Sequence, residues 1–292
     1  MTSIRLKKQG RIDRSKKINF TWNNKNYYGY QGDTLASALM ANNIKIVGRS
    51  FKYHRPRGIM SAGVEESGAL ITVGNDNYRD PNVRATSQEL YEGLIAKGQN
   101  AFPNVDFDFG AINNLFNSFF SAGFYYKTFM GIPPFEWGKG TKMWMFYEKF
   151  IRRAAGMGKS SRKPDPDKYE HAHNFCDVLV VGSGPAGIAA AIEASEHKLD
   201  VILVEQDSVL GGSELNESNT KIEQDVLALK RAGVQIMKRT TAFGLYDHGV
   251  IGLLERITDH QSLSSKNDPR QRFWIIRAKH IILATGAIER PI

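Results

Sequence analysis

Directly after the apolar run Asp177 to Val181 stand Gly182, Ser183, Gly184, Pro185, Ala186 and Gly187, with three glycines spaced as in a phosphate-binding turn. The first glycine permits a tight turn, the second lets a pyrophosphate approach the backbone, and the third lets a helix pack close to the strand. A phosphate placed there meets free N–H groups at a helix N-terminus. Glu205 follows 18 residues after Gly187, at the end of the next apolar run, with Gln206 beside it. A carboxylate at that point accepts both hydroxyls of an adenosine ribose and repels a 2′-phosphate. The pattern therefore favours NAD or FAD over NADP.

Two later stretches belong to the same candidate site. Leu210 is followed by Gly211, Gly212 and Ser213, and the chain later reaches Ala284, Thr285 and Gly286. Small residues at both places let backbone pass close to a diphosphate. The elements that must position these residues follow from periodicity: a buried strand over 177–181, an Ala-rich helix to about His197, and a strand over 200–205. A β-meander is predicted over 242–257 and 272–276, and a returning strand over 281–284. Residues 171–292 thus read as an α/β Rossmann-type FAD/NAD(P)-binding unit with a β-meander crossover, the order found in two-dinucleotide-binding flavoproteins. A further nucleotide or substrate segment normally follows in such folds, so the 292 residues are expected to be part of a longer polypeptide. No catalytic or metal-ligating set emerges; the candidate residues are cofactor-binding alone.

The N-terminal part has another texture. Residues 17–31 alternate around Asn23, Asn24 and Lys25, a hairpin signal because Asn tolerates positive φ. Asp33 or Thr34 then caps a helix to about Asn42, with Leu35, Leu39 and Met40 on its inner face. Short strands are predicted over 44–47 and 69–73. Residues 1–85 therefore read as a small α+β module of β-grasp type. Residues 86–170 are predicted as a helical connecting segment, with helices over 87–96, 113–130 and 141–156. Thirteen aromatics lie from Phe116 to Phe150. They either pack these helices onto flanking domains, dock another chain, or lie on a membrane surface. Residues 159–167, rich in charge and proline, form the clearest linker.

Composition sets the outer bounds. With 41% hydrophobic and 24% charged residues, the chain belongs with soluble globular proteins. Its single cysteine, Cys176, excludes an internal disulfide and any zinc site of four cysteines, which fits a reducing cytoplasm. Neither a signal peptide nor a membrane-length apolar run is present. Net charge is +9, yet residues 1–57 hold 13 Lys/Arg against Asp13 and Asp33, a local +11 that leaves about −2 for the rest. No nucleic-acid motif accompanies that charge, and nucleic acid is not expected as a partner.

The most specific stretches are Gly10 to Arg14, Gly32 to Leu39, Gly48 to Gly58, the Asp177 to Gly187 turn, and Ala284 to Pro291. On these the chain resembles the alpha-subunit family of heterotetrameric sarcosine oxidases, in their N-terminal part. The resemblance implies a complex that oxidatively demethylates sarcosine to glycine, passing the one-carbon unit to tetrahydrofolate and electrons to oxygen. It implies beta, gamma and delta partner subunits, NAD on the Rossmann-type unit, FAD on beta, and FMN between the two subunits. By motif alone, the first glycine turn followed by Glu205 would hold FAD; the resemblance favours NAD. An opine, proline or glycine dehydrogenase subunit is the alternative within the same superfamily. A non-catalytic NAD- or FAD-binding assembly module is the alternative outside it. The first module also resembles the 2Fe-2S ferredoxin-like domain of related dehydrogenases. Yet 48–58 lacks cysteine, and a plant-type cluster needs four thiolates. The module is expected to be cluster-free, with Arg49, Lys52, His54, Arg55 and Arg57 forming either a solvated loop or an anion- or partner-binding one. No carboxylate near His54 in sequence supports a catalytic role for it.

Overall fold

In the computed structural model, Asn23 and Asn24 take φ of 46° and 63°, and this pair closes a hairpin between β1 (Asp13–Trp22) and β2 (Lys25–Gln31). The structure describes residues 4–7, 10–118, 145–146, 148–149, 158–216, 221–262 and 268–287. They fall into two compact units, Met1–Pro166 and Asp167–Ile292.

In the first unit, Thr34 caps α1 (Leu35–Ala41) by accepting the Ser37 N–H. The Arg5 guanidinium grips the buried Asp33 carboxylate at 2.7 and 3.0 Å just before it. A short ribbon of β3 (Gly48–Arg49) and β4 (Pro56–Arg57) follows, then β5 (Leu70–Val73), β6 (Asp80–Arg84) and β7 (Leu94–Gly98). The main sheet runs β2-β1-β7-β5-β6, with β1 and β7 parallel. Phe20, Leu35, Leu39, Ile71 and Leu94 are fully buried between sheet and helix. Each such burial stabilises by roughly 1.5–3 kcal/mol. The result is the ferredoxin-like β-grasp arrangement.

Three expectations for this unit need correction. Met40 is 48% exposed, so the inner face of α1 is carried by Leu35, Ala38 and Leu39. Residues 44–47 form no strand; the Ile44 N–H bonds the Leu39 carbonyl and the Val47 N–H the Arg57 carbonyl. Residues 87–96 form no helix, and their C-terminal end is β7, a central strand. Ser87 followed by Glu89 and Glu92 mimics a helix start, but Leu94 and Ala96 are buried while Ile95 is 39% exposed. That period-two alternation pairs with β1 and β5 and overrides the local signal. The main sheet thus takes its middle strand from beyond residue 85. The helices expected over 113–130 and 141–156 fall largely outside the described residues, as do most of the aromatics.

The second unit opens with β8 (Tyr169–Val181), followed by α2 (Pro185–Glu196), β9 (Val201–Val204), α3 (Lys221–Arg231), β10 (Gln235–Met237), β11 (Thr240–Tyr246), β12 (Val250–Arg256) and β13 (Gln271–Leu283). The sheet order is β10-β9-β8-β13-β12-β11. The first four are parallel, and the last three form the antiparallel meander. Val178, Val180, Val201 and Leu203 bury one face against Ile188, Ala191 and Leu229 of the helices. Leu179, Val181, Ile202 and Val204 bury the other with Met237, Ile251 and Leu253. This is the Rossmann-type unit with a β-meander.

The segments 272–276 and 281–284, read as two strands, are one strand. Arg277 and Lys279 are exposed and Ala278 between them is buried, and the pairing with β8 keeps one register from Gln271 to Leu283. Lys279 pairs with Asp177 on β8 at 2.7 Å. Sequence reading also passed over α3 and β10. Among the described residues, no helix is long and apolar enough to cross a membrane.

Candidate nucleotide site

The glycine turn emerges from the end of β8, and each of its three glycines has a different reason for being there. Gly182 has φ +99°, and a Cβ on it would lie 2.4 Å from the Ala284 carbonyl oxygen. A Cβ on Gly187 would lie 1.9 Å from the Gly182 oxygen, so the helix sits as close to the strand as backbone allows. Gly184 differs from both. Its φ is −68°, open to any residue, and a Cβ there would meet nothing within 4 Å. Nothing within the protein requires glycine at 184, and the open space there suits a ligand that approaches the backbone.

That open space adjoins the start of α2. Gly184 is the N-cap without a side-chain cap, Pro185 occupies the first helical position, and no acid lies in the first turn. Pro185 and Ala186 are exposed. The helix N-terminus therefore presents its N–H groups and the positive end of its dipole outward, an arrangement suited to phosphate.

Glu205 follows the last residue of β9 and is 8% exposed. Ser183, fully buried, donates to Glu205 Oε2 through its backbone N–H at 2.9 Å and its hydroxyl at 2.5 Å. The Asp207 N–H donates to Oε1 at 2.9 Å. The Glu205 backbone is tied to Met237 and Thr240, so the carboxylate stands on β9, the end of β10 and the start of β11 together. Gln206 offers its carbonyl to Arg256 at 2.7 Å, a contact sequence reading did not anticipate.

The two later stretches close around the same turn. The Gly211 N–H donates to the Ser183 carbonyl at 3.0 Å, and a Cβ on Gly212, at φ +53°, would lie 3.0 Å from Gly184 Cα. Ser213 follows in a short 3-10 turn and is exposed. On the other side, the Ala284 N–H donates to the Val181 carbonyl at 2.8 Å, with Thr285 exposed and Gly286 at φ +67°. The cofactor-binding candidates singled out in sequence thus fall on four short stretches that meet at one end of the parallel strands. Such a crevice is where open α/β sheets bind ligands.

Cys176 lies on β8 with its side chain in the core. Burial, then the charges of Asp200 and Asp177, push its thiol up to about 11, which makes it an inert packing residue at neutral pH.

The basic loop of the first unit is held from within. Arg49 donates to the carbonyls of Val105, His54 and Asp106, and Arg55 to Asn114. His54, at φ 53°, meets a carboxylate distant in sequence: its Nδ1 lies 2.6 Å from Asp108 Oδ2. Asp108 was missed because no spacing rule joins it to His54. Residues 15–101 contain no cysteine, and among the described residues no group of His, Cys, Asp or Glu is placed to hold a metal. This module has the fold of a cluster-binding domain without thiolates to hold a 2Fe-2S cluster, so no electron-transfer step is assigned to it.

Comparison with known proteins gives the same two regions. A family model described as a 2Fe-2S iron-sulfur cluster binding domain matches residues 15–101, and one described as an FAD dependent oxidoreductase matches residues 177–263. Sarcosine oxidase subunit alpha of Rhizobium meliloti (strain 1021) is 48% identical over 100% of the chain and 30% of its own length. The subunit alpha of Corynebacterium sp. (strain U-96) is 33% identical over 97% of the chain and 25% of its own length. Among solved structures, L-proline dehydrogenase from P. horikoshii superimposes over 98% of the chain and 43% of its own, with a TM-score of 0.54 and 20% identity. That likeness shows the fold alone.

Proposed function

From the premise that this chain is related over its whole length to sarcosine oxidase alpha subunits, about 30% of whose length it spans, we propose that its second unit holds the ADP moiety of a dinucleotide. The pyrophosphate lies against the Gly182–Gly187 turn and the N-terminus of α2, flanked by Gly211–Ser213 and Ala284–Gly286. Glu205 accepts from an adenosine ribose hydroxyl. The carrying observation is Gly184, where an added Cβ would meet nothing within 4 Å, which leaves room for a phosphate against the backbone.

NAD is the proposed occupant, in keeping with the resemblance to the alpha subunit. FAD is the second reading, favoured by the family model that covers residues 177–263. Either group supplies redox chemistry at its far end, whereas the residues named here bind and orient its ADP half. None of them is a catalytic residue. Denaturing the purified chain and recording the spectrum of what it releases separates the two: absorbance confined to the adenine and nicotinamide region supports NAD, and a visible flavin band replaces it with FAD.

The larger reading is an oxidoreductase complex in the cytoplasm that demethylates sarcosine to glycine, with the one-carbon unit passed to tetrahydrofolate and electrons to oxygen. Beta, gamma and delta subunits would complete it, with FAD and FMN held on beta or at its interface with this subunit. The carrying observation is the 48% identity across the whole chain. Co-expression with the candidate partner subunits tests it: sarcosine-dependent hydrogen peroxide release is expected from the complex and not from this chain alone.

A further inference from the structure

We infer that Ser183 is a positioning residue for Glu205 and thereby sets the site's discrimination against a 2′-phosphate. The inference rests on the nucleotide reading above and assigns the residue that enforces its specificity. In a turn of this kind the residue after the first glycine is defined by position alone, and any small side chain fits the spacing. Here it has a particular task. Its backbone N–H and its hydroxyl both donate to one oxygen of Glu205, at 2.9 and 2.5 Å, while the second oxygen receives the Asp207 N–H. A carboxylate has about four acceptor positions. Three are taken by donors fixed in the protein, and two of those three come from Ser183.

The consequence is an oriented carboxylate. Both Ser183 and Glu205 are buried, at 0% and 8% exposure, so these bonds are not diluted by water. The Gly211 N–H bonds the Ser183 carbonyl at 3.0 Å, tying the serine to the loop on the far side of the turn. With Oε2 satisfied, Oε1 is the atom with capacity left for a ribose hydroxyl. A negative charge fixed at that atom rejects a 2′-phosphate. Without the hydroxyl, the carboxylate loses one of its two tethers at Oε2 and can turn away from a bulkier, charged ribose.

Calorimetric titration of the full chain with ADP-ribose and with ADP-ribose 2′-phosphate tests this, using Ser183→Ala, Ser183→Cys and Glu205→Gln. Ser183→Ala is expected to weaken ADP-ribose binding about tenfold, the scale of one lost charge-assisted hydrogen bond. Binding of the 2′-phosphate form should not weaken, so the preference narrows. Ser183→Cys, a somewhat larger side chain with only a weak donor, should behave like the alanine variant. An equal loss for both ligands, or an unchanged preference, overturns the role of Ser183. If Glu205→Gln binds both ligands as the unaltered chain does, the nucleotide reading itself fails and this inference fails with it. If Glu205→Gln narrows the preference and Ser183→Ala does not, only the Ser183 role is lost.

Discussion

His54 and Asp108 are joined by a hydrogen bond of 2.6 Å, with side chains 14% and 0% exposed. Asp108 also accepts the N–H groups of Phe102 and Gly110 through its other oxygen, so one buried carboxylate ties the basic loop to the segment around residues 102–110. Asp108→Ala strips three donors of their acceptor. It is expected to cost about 3 kcal/mol and to raise hydrogen exchange first at residues 50–55 and 102–110. Unchanged exchange at those residues would show that Arg49 alone holds the loop.

The three glycines of the turn should separate by substitution. Gly184→Ala meets no atom within 4 Å and has an ordinary φ, so its thermal midpoint should match that of the unaltered chain while nucleotide retention falls. Gly187→Ala drives a methyl into the Gly182 carbonyl at 1.9 Å and should lower the midpoint itself. Thermal melts with nucleotide quantified after gel filtration read both effects. Intact retention in Gly184→Ala would remove the phosphate from that position.

Glu205→Ala should weaken nucleotide retention more than Arg55→Ala does. Hydrogen bonds to a charged group are worth about 1.5–3 kcal/mol, so a loss of tenfold or more is expected for Glu205. Arg55 is spent on Asn114 and the Tyr53 ring, and its loss should leave retention alone. Equal retention in the two variants would take Glu205 out of the site.

A pH dependence follows from Glu66, which is 1% exposed. Burial raises its carboxyl, but the N–H groups of Ser61, Met60, Gly68 and Ala69 outweigh that and hold it below its ordinary 4.5. A folded value below the unfolded one gives stability that is present above about pH 4.5 and lost as pH falls through the folded value. Chemical denaturation from pH 6 downward should show the first unit weakening in that window, and Glu66→Gln should flatten the acid limb. A limb unaffected by the substitution would place the acid sensitivity in other carboxylates.

What sequence revealed and concealed divides by the distance over which the deciding interaction acts. The turn at Gly182, the cap at Thr34 and the Asn23-Asn24 hairpin are local, and all were legible because a few adjacent residues set the backbone. The helix expected over 87–96 failed because its local signal was good and a remote one was better: β1 and β5 supply the hydrogen bonds that make Leu94–Gly98 a strand. The long strand β13 reads as two because Arg277, Lys279 and His280 interrupt its apolar run, though all three are exposed and the pairing with β8 runs on through them. In the candidate site, the glycines and Glu205 announced themselves by spacing. The Ser183 bond to Glu205 did not, since it needs the strand and the turn to be placed side by side.

The pairing of β8 with β13 also bears on when the site comes into being. Val181, at the threshold of the glycine turn, is matched with Leu283, and the Ala284 carbonyl is the atom that shuts Gly182 in. These partners stand near opposite ends of the unit's sequence, so their contact must wait for a slow, non-local loop closure. On the ribosome, the helix and β9 can gather around the turn early, yet the turn lacks its neighbouring wall until β13 has been synthesised. Assembly of the candidate site is thus coupled to synthesis of β13, and a nascent chain stalled before Gln271 would carry the motif without that wall.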